Sequence, residues 1–131
     1  LLFEIADNDP QLMANLQAQR LEAVTRREAA EQRLASLSAQ LEQLERSVRL
    51  GVEAAQTRLD AADYAARTAT LQFDRIRTLH EDARGLASRR ELELATLERD
   101  RTAAELVRAR AERERAETDG QASLDSLRAG R

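Results

Sequence analysis

The sequence predicts an all-α protein, a long antiparallel coiled-coil helical hairpin preceded by a short strand, and three observations lead to this fold class. The first is composition: 25 Ala, 20 Leu, 21 Arg and 15 Glu make up most of the 131 residues, which is typical of long helices and coiled coils. The second is a set of small and apolar residues spaced three and four apart along two long segments. The third is a helix-start motif, Ser88-Arg89-Arg90-Glu91, which follows closely on Gly85.

The same composition argues against several other classes of protein. Only Phe3, Tyr64 and Phe73 are aromatic, and alanine supplies much of the apolar content, so a compact globule or an all-β fold would lack side chains for its core. A net charge of −3 and regularly spaced leucines argue against disorder. No apolar run approaches the roughly 18 residues that a membrane span needs. Arginines and carboxylates alternate along the chain, which argues against a nucleic-acid surface.

Residues 1–9 are predicted to be a strand and the lead-in to a helix. The first five residues are apolar except Glu4 and are predicted to form the strand. Asp9 can cap a helix by accepting a hydrogen bond from a free backbone N–H, and Pro10 suits the first helical position. Because the chain starts with Leu1 rather than Met, we expect it to be part of a longer protein.

Residues 10–84 are predicted to be the first helical arm. Its apolar stripe, called here the first seam, consists of Leu34, Leu37, Leu41, Leu44, Val48, Val52, Ala55, Leu59, Ala62, Ala66, Ala69, Phe73, Ile76 and Leu79. Leu44, Val48 and Val52 are separated by two successive steps of four, a stutter that locally unwinds a supercoil. Gly51 is the one breaker inside the arm, and a break in the helix near it is an open alternative.

Residues 85–88 are predicted to be the hairpin tip and residues 89–131 the returning arm, which is expected to be incomplete. Gly85 suits the end of the first helix, and Ser88 with Glu91 forms a capping box for the second. The second seam consists of Leu92, Ala95, Arg99, Thr102, Leu106, Ala109, Arg113, Ala116, Gly120, Leu124 and Leu127.

Folding the chain at Gly85 pairs residues whose numbers add up to about 171. Ala116, Gly120 and Leu124 form a second stutter, also two successive steps of four. Both stutters fall at one level in this register, which predicts that Val52 and Gly120 are neighbours. Residues 10–39 have no partner in this register. Three alternatives remain for them: a longer second arm in the parent protein, a first helix that folds back near Gly51, or a contact between subunits.

Few residues suggest chemistry. His80 is the only histidine and there is no cysteine, so no ligand set with transition-metal spacing exists. The four glycines are scattered and form no phosphate-binding loop. Carboxylates such as Asp60 and Asp63 fit a solvated helix face. We therefore expect no enzyme activity, catalytic residue, cofactor or metal.

The segment Gly85–Leu92, which reads Gly-Leu-Ala-Ser-Arg-Arg-Glu-Leu, resembles the hairpin tip of periplasmic adaptor proteins, also called membrane fusion proteins. These proteins serve tripartite efflux pumps and type I secretion systems. The beginning of the chain, Leu2-Phe3-Glu4-Ile5 followed by Asp9-Pro10-Gln11-Leu12, is similar to the last strand of an adaptor's lipoyl-like half-domain running into its hairpin.

The resemblance implies a periplasmic bridge in a bacterial export or efflux complex. The implied tip residues that would meet an outer-membrane channel are Arg75, Leu79, Leu86 and Ser88. The spacing from Leu79 to Ser88 exceeds the family's by two residues, which we assign to Asp82 and Ala83.

The implied parent is anchored to the inner membrane, where other parts of it contact a transporter, and it forms a homo-oligomer; no nucleic-acid partner is expected. The alternative is a generic coiled-coil scaffold or dimerisation module without a transport role.

Overall fold

In the computed structural model, the backbone is described for residues 2–82 and 86–130 and the side chains for residues 9–82 and 86–130. Two helices make up nearly all of this part of the chain. Helix α1 spans Leu2–Glu81 (80 residues) and helix α2 spans Arg89–Ala129 (41 residues). The all-α class is thereby confirmed, and two helices with a short connection are the elements of a helical hairpin.

The structure differs from the sequence prediction at the N-terminus. Residues 2–5 are helical rather than extended, and both Asp9 and Pro10 lie inside α1 instead of marking its start. A short strand needs neighbouring strands to satisfy its backbone hydrogen bonds, and the described residues form none. Leu2 and Glu4 are good helix formers, and in a helix this segment can satisfy its backbone groups without a neighbouring strand. Leu1 lies outside the described residues.

Helix α1 also continues through Gly51, so the alternative of a break there is wrong. A Cβ atom added at Gly51 would meet nothing within 4 Å, which means that this position faces open space. The helix is continuous through this position, and the glycine lowers its stability only through the larger conformational entropy that it loses on folding.

The chain divides into two units, Leu1–Gln43 and Leu44–Arg131. In the first unit, every described side chain from residue 9 to residue 36 is exposed. Leu34 is among them, although the first seam includes it, whereas Leu37 is half-buried and Leu41 is buried.

The second unit contains α2 and the C-terminal part of α1. Its burial pattern follows the predicted seams: from Leu44 to Leu79 and from Leu92 to Leu127, every seam residue is buried or half-buried. Among the described residues, the contacts between the helices include the following three. The Arg128 guanidinium lies 3.5 Å from the Glu45 carboxylate, the Arg99 guanidinium lies 4.0 Å from the centre of the Phe73 ring, and Gly120 packs against Val48. Residues later in α2 therefore contact residues earlier in α1: residue 99 contacts residue 73, residue 120 contacts residue 48, and residue 128 contacts residue 45.

The contact of Gly120 differs by one helical turn from the predicted pair. Val48, not Val52, supplies the three atoms nearest to the position that a Cβ at residue 120 would occupy. Side chains of packed helices fit into spaces between residues of the facing helix. Pairing residues whose numbers add up to a constant assumes that they lie directly opposite each other, so it can choose a neighbour one turn away from the true contact.

Candidate functional site

The candidate site is the connection between the two helices. Helix α1 ends at Glu81, and the backbone N–H of Asp82 donates to the carbonyl of Thr78 at 2.8 Å. Leu86 and Ala87 form a bend, Ser88 is extended with φ −74° and ψ 162°, and α2 then begins. The predicted roles of Gly85 in ending the first helix and of Ala83 as an inserted residue fall outside the described residues.

Ser88 caps helix α2, as the sequence predicts. Its hydroxyl accepts a hydrogen bond from the backbone N–H of Glu91 at 3.1 Å, and its carbonyl accepts the first intrahelical bond, from Leu92. The second bond of a capping box, which the backbone N–H of Ser88 would donate to the Glu91 carboxylate, is absent among the described contacts. Glu91 still lies in the first turn of α2, where a negative charge is favourable.

His80 closes the connection from the other side. Its Nδ1 lies 2.9 Å from the carbonyl oxygen of Ala87. Because a carbonyl can only accept, Nδ1 carries the hydrogen and donates it. Ala87 is 1% exposed and is thus held both by packing and by this bond. The sequence identified His80 only as a polar residue near the loop, because a bond across the connection depends on how the intervening residues fold.

The four predicted tip residues differ in their surroundings. Leu86 is 76% exposed, while its neighbour Ala87 is buried. Leu79 is half-buried in the first seam. Arg75 lies one turn before it on α1, is exposed, and makes no ion pair with a described carboxylate. Ser88 is exposed, and its hydroxyl is engaged in the cap. Arg75 and Leu79 thus share one face of α1, and Leu86 and Ser88 lie in the connection.

Two of the shallow grooves along the described helices are lined by residues of the second unit. The groove beside the connection is lined by His80, Arg89, Leu92, Glu93 and Thr96, of which Arg89 and Glu93 form an ion pair at 3.3 Å. The groove farther along is more apolar, and its lining includes Leu71, Leu106 and Val107.

No group of three or more His, Cys, Asp or Glu side chains within residues 9–82 and 86–130 is arranged to hold a metal ion. None of the helical stretches in the described chain combines the length and the hydropathy that crossing a bilayer requires.

Comparison with known proteins returned no match: no family model, curated protein or solved structure is significantly similar to this chain.

Proposed function

We propose that this chain is the helical hairpin of an adaptor-type protein in a bacterial export or efflux complex, in which it acts as a stiff spacer with a recognition tip. In this proposal, the parent protein is held at the inner membrane beside a transporter, and the hairpin bridges the periplasm. The tip then docks on an outer-membrane channel. Several copies assemble in the complex.

Residues 44–131 form the spacer as an antiparallel coiled coil. Support comes from the order of the contacts, which join Glu45 to Arg128, Val48 to Gly120 and Phe73 to Arg99. Further support comes from the alternating steps of three and four between the seam residues that lose exposure. Small residues such as Ala55, Ala109 and Gly120 occupy much of this interface, so the two helices can approach closely.

The observation that carries the docking role is the exposure of Leu86. An exposed leucine at the end of a hairpin gains no stability from its contact with water, and the two residues that follow it are held in place. Ala87 is buried, His80 bonds to its carbonyl, and Ser88 caps the next helix. An exposed apolar side chain directly beside a fixed segment suits a binding interface, since less conformational entropy is lost on docking.

The second candidate function is a coiled-coil scaffold without a transport role. The helical conformation of residues 2–9 favours it, because a strand leading into the hairpin would have distinguished the adaptor from the scaffold. The resemblance of the segment 85–92 to adaptor tips favours the first candidate. Location and tip contacts therefore decide between the two.

Substitutions at the tip separate docking from folding. We expect Leu86→Asp to abolish export and channel binding by the parent protein while leaving the free energy of unfolding within about 0.5 kcal/mol, because the side chain is exposed. Leu79→Asp should weaken channel binding and should also lower the free energy of unfolding, since Leu79 is a seam residue as well. Ser88→Ala should lower only the stability, by about 0.5–2 kcal/mol, through loss of the cap.

Urea denaturation of the purified chain measures the stability term. Photo-crosslinking from position 86 in cells that produce the parent protein measures the docking term, with position 97 on α2 as the matched exposed control. We expect an adduct with an outer-membrane channel from position 86 alone. Adducts with cytoplasmic proteins only, or export that survives Leu86→Asp, would reject the adaptor proposal in favour of the scaffold.

A further inference from the structure

A second stripe of regularly spaced residues runs along α1, on the side opposite the first seam. We call it the outer stripe. It consists of Leu50, Ala54, Thr57, Ala61, Tyr64, Thr68 and Leu71. Its steps alternate four and three over three heptads, every member is exposed, and none is charged. Its large members are among the most exposed apolar side chains described: Leu50, Tyr64 and Leu71 are 61%, 75% and 68% exposed.

The outward face of α2 has a different character. Arg101, Arg108 and Arg115 follow one another at seven-residue intervals on it, and each pairs with a carboxylate on its own helix. These arginines and carboxylates pair within α2 and remain in contact with water, so this face needs no partner molecule. Helix α1 could carry the same kind of face, since the chain is rich in arginine and glutamate, but over the outer stripe it does not.

We propose that the outer stripe is an interface for a second copy of this chain, with the two α1 helices parallel and in register. Stripe residues then meet their own counterparts across a two-fold axis, as in a parallel coiled coil. Ala54, Ala61 and Thr68 let the backbones approach. Leu50, Tyr64 and Leu71 fill three of the four alternate layers, and Thr57 occupies the fourth.

The charges beside the stripe select the second copy and its direction. Glu53 and Arg58 lie on opposite flanks, and neither forms an ion pair with any described side chain, whereas Asp63 and Arg67 on the same helix pair at 2.9 Å. In a parallel coiled coil, a flanking residue faces the partner's residue five positions later, so Glu53 of each copy meets Arg58 of the other.

In an antiparallel pair, each flank of the stripe would instead face the same flank of the second copy. The flank that contains Arg58 is otherwise Gly51, Ala65 and Gln72, so Arg58 would meet no carboxylate there. The stripe is short and contains Ala and Thr in its core, so we expect a weak and concentration-dependent dimer. This inference does not depend on tip docking.

Sedimentation equilibrium of the purified chain over a wide concentration range tests the interface. We expect Leu71→Glu to raise the dimer dissociation constant by about tenfold or more, since it places like charges opposite each other. Leu97→Glu is the matched control on α2, because Leu97 is equally exposed at 66%. A monomer at every concentration, or equal weakening by both variants, would overturn the proposal. Circular dichroism checks that both variants keep the helical content of the parent chain.

Engineered disulfides test whether the two α1 helices run parallel. The chain has no cysteine of its own, so only the introduced residues can form a disulfide. We expect Leu50→Cys and Leu71→Cys each to form a covalent dimer alone under mild oxidation. Crosslinks that appear only when the two variants are mixed would overturn the parallel arrangement. In the same way, Glu53→Arg should weaken the dimer, and adding Arg58→Glu should restore it; absence of rescue would contradict the proposed ion pair.

Discussion

At the scale of single residues, the two glycines inside the helices have opposite surroundings. Glycine costs a helix roughly 0.5–1 kcal/mol relative to alanine, because its unfolded backbone has more freedom. At Gly51 an added Cβ would meet nothing within 4 Å, whereas at Gly120 it would collide with Cγ1 of Val48 and approach Cγ2 at 3.3 Å. The first glycine is therefore dispensable, and the second lets the helices approach.

We accordingly expect Gly51→Ala to raise the free energy of unfolding by about 0.5–1 kcal/mol. Gly120→Ala should lower it, because the clash with a branched side chain outweighs the gain in helix propensity. Urea denaturation measures both changes, and Gly120→Ala combined with Val48→Ala should recover part of the loss by removing the clash. Equal stabilisation by the two single variants would show that the close packing at Gly120 is absent.

At the scale of the elements, two arginines occupy seam positions of α2. Arg99 is accommodated by the ring of Phe73, a cation–π contact that keeps its guanidinium stacked on an apolar partner. Arg113 is less well satisfied: its Nη1 pairs with Glu117 at 3.2 Å, but its Nε is buried and has no hydrogen-bond partner among the described atoms. A buried donor without a partner is destabilising.

We expect Arg113→Leu to raise the free energy of unfolding by about 1–2 kcal/mol, since leucine suits the seam and removes the unsatisfied donor. Arg108→Leu serves as the control, because the Arg108 side chain is 82% exposed and its replacement should change stability little. Thermal denaturation followed by circular dichroism measures both. Destabilisation by Arg113→Leu would mean that its guanidinium has a partner in the folded protein.

The ion pair of Glu98 with Arg101 on the outer face of α2 makes the stability of this helix depend on pH. The Arg101 guanidinium donates two hydrogen bonds to the Glu98 carboxylate, at 2.6 and 3.0 Å, and this holds the pKa of Glu98 below its ordinary value of 4.5. The same bond, together with the attraction of Glu105, raises the pKa of Arg101. A carboxyl with a lowered pKa in the folded state stabilises the fold above its unfolded pKa, and this contribution is lost as the pH falls through the folded pKa.

The contribution of this exposed ion pair, which solvent keeps small, should therefore be constant near neutral pH and should be lost below about pH 4.5. Glu98→Gln should reduce this acid sensitivity. Glu114→Gln should not, because Glu114 forms no ion pair with any described side chain. Melting temperatures measured from pH 3 to pH 7 at low salt test this, and identical pH profiles for the two variants would contradict the assignment. The raised pKa of Arg101 has no effect in this range, because arginine stays protonated throughout.

At the scale of the whole molecule, stability is expected to be uneven along α1. Residues 9–36 bury no described side chain, and a helix without tertiary packing is only marginally stable in water. From Leu44 onward, the seam residues lose exposure and support the helix. Local unfolding should therefore be easier in the first stretch.

Hydrogen exchange followed by mass spectrometry measures this difference directly. We expect amides of residues 9–36 to exchange about tenfold faster or more than those of residues 52–76. Deleting residues 1–36 should leave the melting temperature of the remaining chain nearly unchanged. Equal protection of both stretches would mean that another molecule or copy covers residues 9–36 in solution.

The sequence alone was sufficient to predict the all-α class, the start of the second helix at Arg89, the cap at Ser88 and the seam residues from Leu44 to Leu79 and from Leu92 to Leu127. These features depend on local propensity and on periodicity, which can be read along the chain. The outer stripe could have been found in the same way, as an uncharged register on the far side of the first helix, but only the exposures distinguish it from a second buried face.

Other features depend on contacts or partners that no local pattern specifies. Residues 2–5 suit a strand or a helix, and in the absence of neighbouring strands the helix is formed. Tertiary contacts also decided that Gly120 packs against Val48, that Leu34 stays exposed at a seam position, and that His80 bonds to Ala87 across the connection. Periodicity determines which side of a helix is apolar, whereas the depth and the partner of each residue depend on where the facing helix lies.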